Sequence, residues 1–162
     1  MKMIVCVSEN YGIGNKGGLL FSLPPDMKFF RETTLGKVVV MGRGTLDSFP
    51  GGKALKNRTN IVLTRDIGFA REDVTVFNSK IEALNYLSQF ESDDVYIIGG
   101  AQIYELFRNE CDTALVTKVQ KTVECDAFFF DIDNDPDWEL FQKSAVMEYD
   151  GLSFSFCTYT RK

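Results

Sequence analysis

The sequence predicts an α/β fold built on a mostly parallel sheet. Three observations carry that prediction. Apolar strand segments alternate with helical segments through the first two-thirds of the chain, the order that builds a parallel sheet. Several of these strands, VVVM and VYII among them, are apolar throughout, as suits a sheet covered by helices on both faces. The last third carries strands without helices between them, which places antiparallel additions at one edge.

The elements follow in order. MIVCVS (3–8) is a buried strand, and NYGIGNKGG (10–18) a glycine-punctuated loop. Pro24-Pro25 stops any extended run and opens a helix from about Asp26 to Thr34, because proline suits a first helical turn. LGKVVVMG (35–42) contains the second strand. GRGTLDSF (42–49) starts a short helix, and FPGGKALKN (49–57) is a loop.

NIVLT (60–64) and VTVFN (74–78) are the third and fourth strands. SKIEALNYLSQF (79–90) carries Ile81, Leu84, Leu87 and Phe90 as a helical stripe. VYIIGG is the fifth strand, AQIYELFRN a helix, and TALVTKV the sixth strand. DAFFFDI, WELFQKS and LSFSFCTYT read as short strands, Asp150-Gly151 as a hairpin turn, and DIDNDPD as a surface loop. No repeat or linker interrupts the chain, so residues 1–162 are expected to form one domain.

Composition removes several function classes. A net charge of −5 repels phosphate backbones, which argues against nucleic acid as a partner. No apolar run approaches the ~20 residues that span a bilayer, and a cytoplasmic location is expected. Cys6, Cys111, Cys125 and Cys157 contain no C-x-x-C pair, and buried free thiols are the expectation. With no histidine in the chain, Ser-His-Asp and Cys-His catalysis and His-ligated metal sites are excluded. Proton handling falls to Asp, Glu, Lys, Tyr or Cys.

Candidate sites sit where ligands bind an α/β sheet, beyond the carboxyl ends of its strands. VVVMG-RGT (38–45) and VYIIGG-AQIY (95–104) both end a strand in glycine and lead into a helix. Glycine lets backbone approach a ligand, and a helix N-terminus offers free N–H groups to an anion. Two such ends suit a pyrophosphate, although both are also ordinary strand-to-helix turns. Neither is a G-x-G-x-x-G fingerprint. Arg58 precedes strand NIVLT and Arg65 follows it, roughly 23 Å apart at ~3.3 Å per residue. These two cations can anchor two different anions, with Arg43 joining Arg65, or can be solvated surface charges.

Asp26 stands directly after the two prolines. It suits an N-cap, yet Phe29 occupies the position where a capping box needs Glu or Gln. It shares a helical face with Phe29, Phe30 and Thr33. Burial beside phenyl rings raises a carboxyl pKa, by ~3–5 units in the extreme. The helix terminus opposes that by less than ~1 kcal/mol. Desolvation wins, giving an acid that titrates nearer neutrality. A planar ligand with two adjacent N–H donors would satisfy it.

Together, GIGNKGGLLFSLPPDMKFF, VVVMGRGTLDSF, NRTNIVLTR, VYIIGGAQIYELF, LVTKV and DAFFF resemble the bacterial dihydrofolate reductases in order and spacing, from about Met3 to Thr160. The resemblance implies a central eight-stranded, mostly parallel sheet with an antiparallel C-terminal strand and four flanking helices. It implies hydride transfer from NADPH to C6 of dihydrofolate with protonation at N5. Asp26 would bind the pteridine ring and favour N5 protonation through water, supported by Thr117. Ile4, Cys6, Met27, Phe30, Phe49, Leu55 and Ile98 would wall the pocket. Arg58 would hold the glutamate carboxylate.

On the cofactor side, Ile13 and Gly14 would lie in a mobile loop over the nicotinamide, and Thr45 beside its ribose. Gly42, Arg43, Gly44, Gly99, Gly100, Ala101, Gln102 and Ile103 would line the phosphate path, with a cis Gly99–Gly100 peptide. Arg43, Thr64 and Arg65 would surround the 2′-phosphate of NADPH. The resemblance implies a monomer. Phe21 stands where many bacterial members have Trp, and Gln102 where some have a basic residue. Two rivals are a pyrimidine reductase of flavin synthesis, against which Asp26 and Arg58 argue, and a non-catalytic pterin- or nucleotide-binding module.

Overall fold

The computed structural model describes residues 1–162. Strands β1 (Lys2–Val7), β3 (Val38–Gly42), β4 (Thr59–Leu63), β5 (Thr75–Phe77), β6 (Val95–Gly99) and β7 (Thr113–Val119) are mutually parallel. Antiparallel β11 (Leu152–Arg161) pairs with β7, and β10 (Met147–Tyr149) with β11. The path is β10-β11-β7-β1-β6-β3-β4-β5, eight strands long. A ninth, β9 (Trp138–Lys143), lies on the same outer edge of β11 as β10, so two short strands share one long partner. Residues Gly12–Gly14 (β2) and Ala127–Phe128 (β8) form a separate two-stranded sheet.

Helices α1 (Pro24–Thr34), α2 (Arg43–Ser48), α3 (Lys80–Leu87) and α4 (Ala101–Phe107) cover both faces, as the apolar strands predict. The period of two along each strand divides the interior. Met3, Val5, Val7, Val38, Val40, Val95 and Ile97 face one core with Ala83, Leu87, Ile103 and Phe107 from α3 and α4. Ile4, Val39, Met41, Tyr96 and Ile98 face the other, packed with Leu46 of α2 and with Phe29 and Phe30 of α1. Cys6 shares the second face with Ile4, and that alternation decides which side of the sheet carries the cleft described below.

Three expectations change. Helix α1 begins at Pro24, not Asp26, because the prolines themselves fill its first turn and no side chain caps it. The α3 stripe holds at Leu87, which is buried, and at Leu84 and Phe90, which pack against the first core, but fails at Ile81, which is 72% exposed while Ala83 is buried. The start of α3 is set instead by Ser79, whose hydroxyl accepts the Glu82 N–H at 3.2 Å. DAFFFDI is strand only at Ala127–Phe128. Phe129 leaves the ladder, donates its N–H to the Tyr11 carbonyl at 2.8 Å, and packs edge-on against Tyr104. The hairpin at Asp150-Gly151 is present, with positive φ at both residues. All four cysteines are free; Cys111 and Cys157 are buried, and burial pushes the Cys111 thiol up to about 12. No helix is long and apolar enough to cross a membrane.

Candidate active site

Asp26 does not cap its helix. Its Oδ1 accepts the hydroxyl proton of Thr117, on β7, at 2.6 Å. Thr117 and Cys6 are register partners on β7 and β1, so their side chains stand side by side on one face beneath α1. Burial raises the Asp26 pKa above the ordinary carboxylate range, and hydrogen bonds from Thr117 and then Cys6 hold back part of that rise. Burial, followed by the Asp26 charge, pushes the Cys6 thiol well above its usual value, so it stays protonated. The cleft around them is otherwise apolar, lined by Cys6, Ile13, Leu19, Leu20, Phe21, Leu23, Asp26 and Met27.

The expected wall residues separate into two groups. Ile4 and Ile98 are buried in the second core, with Phe30, Phe49 and Leu55 packed against it. Cys6 and Met27 line the cleft itself. Met27 is 59% exposed, because it lies one position round the helix from Asp26 and turns toward the mouth. Phe21 lines the cleft, and so do Leu19, Leu20 and Leu23, which were not assigned there from sequence. The signal was an apolar LLF in an otherwise glycine-rich loop, which a surface loop has no use for unless it covers something.

Arg58 is half-buried at the far end of α1. It donates to the carbonyls of Lys56 at 2.8 Å and Arg31 at 3.1 Å, and to Thr34 Oγ1 at 3.2 Å. It thereby binds the carbonyl end of the helix. Burial, then the neighbouring Arg31 charge, lowers its pKa. Three of a guanidinium's five N–H donors are used, leaving two for an anion.

The glycine-ended strands converge as expected. Gly42 precedes α2, Gly100 precedes α4, and the Gly99–Gly100 peptide is cis. A Cβ on Gly100 would lie 3.7 Å from Thr45 Oγ1, so the two helix starts face each other. A Cβ on Gly42 would press Ile103 at 3.1 Å, and one on Gly99 the Tyr104 ring at the same distance. The Tyr104 hydroxyl in turn donates to the Ile4 carbonyl at 2.7 Å, a clamp between α4 and β1 that sequence patterning did not suggest. In α4 the N–H groups of Ala101 and Gln102 precede any intrahelical acceptor, whereas Ile103 and Tyr104 both donate to the Gly100 carbonyl at 3.0 Å. Arg43, Thr64 and Arg65 follow β3 and β4, whose ends are in register at Gly42 and Leu63. Arg43, Gly44, Arg65 and Gln102 are exposed.

A family model for dihydrofolate reductase matches residues 1–161. The chain belongs to the dihydrofolate reductase family. It is 34% identical to the dihydrofolate reductase of Schistosoma mansoni, over 98% of this chain and 95% of that protein. With the enzyme of Buchnera aphidicola it shares 30%, over 96% and 92%. Against the bifunctional dihydrofolate reductase-thymidylate synthase of Daucus carota it is 33% identical, yet spans only 33% of that protein. Its structure matches that of dihydrofolate reductase from Enterococcus faecalis complexed with NADP(H) and RAB-propyl. The TM-score is 0.89 and the identity 33%, over 99% of this chain and 95% of that one. The α/β architecture expected from the strand–helix order is thus the dihydrofolate reductase fold.

The loop over the cleft is held down from one side. Gly14 accepts the Asp126 N–H at 3.0 Å, and Asp126 Oδ2 accepts the Lys16 N–H at 2.9 Å. Ile13, next to Gly14, reaches the cleft. Gly12 is packed so closely that a Cβ would collide with Cys125 Sγ and lie 2.9 Å from both Cys125 Cβ and Ser8 Oγ. Gly12→Ala is therefore expected to cost ~1–3 kcal/mol of stability by overpacking. Urea unfolding measures this, and Cys125→Gly in the same chain should recover part of the loss.

Proposed function

We propose that the chain reduces 7,8-dihydrofolate to 5,6,7,8-tetrahydrofolate with NADPH, by hydride transfer to C6 and protonation at N5. The reading rests on one observation above the others: the lone carboxyl of an apolar cleft, on α1, meets the hydroxyl of a β7 threonine at 2.6 Å. A dihydropterin has adjacent N–H donors that fit a carboxylate in two parallel bonds. Asp26 binds and orients that edge. Its raised pKa lets it keep a proton to higher pH than an exposed aspartate, which favours protonation at N5 through water. Thr117 fixes the rotamer of Asp26. Ile4, Cys6, Met27, Phe30, Phe49, Leu55 and Ile98 keep the ring dry, and the two spare donors of Arg58 take the carboxylate of the substrate's tail.

The residues present fit a dinucleotide phosphate. Gly42 and Gly99 let α4 close up on the strand ends, since a Cβ at either would press Ile103 or Tyr104, and the two helix starts that follow Gly42 and Gly100 face each other. Gly42, Arg43, Gly44, Gly99, Gly100, Ala101, Gln102 and Ile103 would hold the cofactor's phosphates, Thr45 would lie beside the nicotinamide ribose, and Arg43, Thr64 and Arg65 would surround the 2′-phosphate. When bound, NADPH supplies the hydride. Ile13 and Gly14, with the rest of the 12–22 loop, exclude water from the reacting centre. The same reading takes residues 1–162 as one domain, monomeric and cytoplasmic.

The test is the loss of NADPH absorbance in purified protein. It should require dihydrofolate. Loss that requires a pyrimidine substrate of flavin synthesis instead would overturn the substrate class, and no loss with either would leave a binding module.

A further inference from the structure

Arg43 is not a free cation. Its Nη1 donates to Asp66 Oδ2 at 2.9 Å, its Nε lies 3.7 Å from Asp47 Oδ2, and its guanidinium covers the Phe69 ring at 4.4 Å. Asp66 is equally fixed. Its second oxygen accepts the Gly68 N–H at 3.0 Å, and its own N–H donates to Thr64 Oγ1 at 3.2 Å. The carboxylate is thus built into the same turn that carries Thr64 and Arg65. At this corner Arg43 meets two aspartates, and with Arg65 next to Asp66 along the chain the formal charges of the four cancel.

That balance has a chemical consequence. A phosphate monoester carries close to two negative charges near neutrality, and a locally neutral corner gives it little field. A ribose hydroxyl is different, because it can donate to a carboxylate. In dinucleotide sites an acidic side chain at this station takes the 2′-hydroxyl, and an arginine accommodates the 2′-phosphate. Here one of each stands in contact.

We propose that Asp66 sets the cofactor preference: its carboxylate competes with the 2′-phosphate for the Arg43 guanidinium and offers an acceptor to the 2′-hydroxyl of NADH. The chain therefore binds NADPH and NADH with affinities much closer than two unopposed arginines would give. This rests on the reading above that Arg43 and Arg65 face the 2′-phosphate.

Asp66→Asn is the discriminating variant, because it removes the charge and keeps an acceptor for Gly68. Asp66→Ser keeps an acceptor too and serves if the asparagine variant folds poorly. Calorimetric titration of the full chain with NADPH, NADH, adenosine 2′,5′-bisphosphate and adenosine 5′-monophosphate gives the readout. Loss of an exposed ion-pair competitor should tighten NADPH and the bisphosphate about three- to fivefold. NADH and the monophosphate should be unchanged or weaker. An unaltered NADPH-to-NADH ratio in both variants, alongside selective loss of NADPH affinity in Arg43→Gln, would overturn the role of Asp66 and leave the phosphate reading standing. If Arg43→Gln also left the ratio unaltered, the phosphate reading would fall and the proposal with it.

Discussion

Asp26→Asn is expected to lower turnover with dihydrofolate at neutral pH by about 10²–10⁴-fold, the usual contribution of a positioned acid–base group. NADPH affinity should be retained. The same substitution is expected to stabilise the fold, and the sign follows from linkage. Burial raises the folded-state pKa of Asp26 above its unfolded value. The stability this group contributes is complete below the unfolded pKa, where it is protonated in both states. That stability is lost as pH rises through the folded pKa, because the folded state must then hold a desolvated charge. Asparagine keeps an acceptor for Thr117 and never ionises. Urea unfolding of the two proteins should therefore diverge as pH rises, with the variant more stable on the alkaline side. Equal stability across that range would mean that the carboxyl is not desolvated in the folded chain. Unchanged turnover would remove its assigned role.

Gly99→Ala should be nearly as damaging, by a different route. Gly99 has φ of +115°, where an L side chain is strained by ~1–3 kcal/mol. The added methyl also meets three atoms of the Tyr104 ring at 3.1–3.3 Å, including its hydroxyl oxygen. Tyr104 is buried and cannot swing aside without breaking its bond to the Ile4 carbonyl. Overpacking adds ~1–3 kcal/mol. A large fall in the unfolding midpoint is expected, with weakened NADPH binding in whatever folds. A change within error in both would show that the α4–β6 junction is looser than its contacts indicate.

The parts of this protein readable from its sequence are those where one pattern dominates. Strands VVVM and VYII are apolar on both faces, so nothing competes with the buried-strand reading. TALVTKV is strand over those same seven residues. Asp26 stood out because a carboxyl among Leu and Phe is a local contradiction that burial has to resolve. Its partner Thr117 lies 91 residues away on β7, and no periodicity links a helix residue to it; only the family resemblance pointed to it. Ile81 misled because it sits in the first turn of α3, where the apolar spacing continues but the side chain already lies outside the core that takes Ala83, Leu84 and Leu87. Met147–Tyr149 went unread as a strand because three residues carry too little pattern. Asp66 was invisible for a plainer reason: an acid in a surface turn looks solvated until the arginine beside it is placed.

The outer edge of β11 has one more consequence. This ten-residue strand would offer a stranger's backbone a long row of hydrogen-bonding groups, but β9 and β10 divide that row between them, and its register slips between Thr158 and Tyr159. At the opposite rim β5 is only three residues long. Neither border gives a second molecule a straight run on which to grow a shared sheet, so crowded solutions of the native protein are protected from stacking rim to rim.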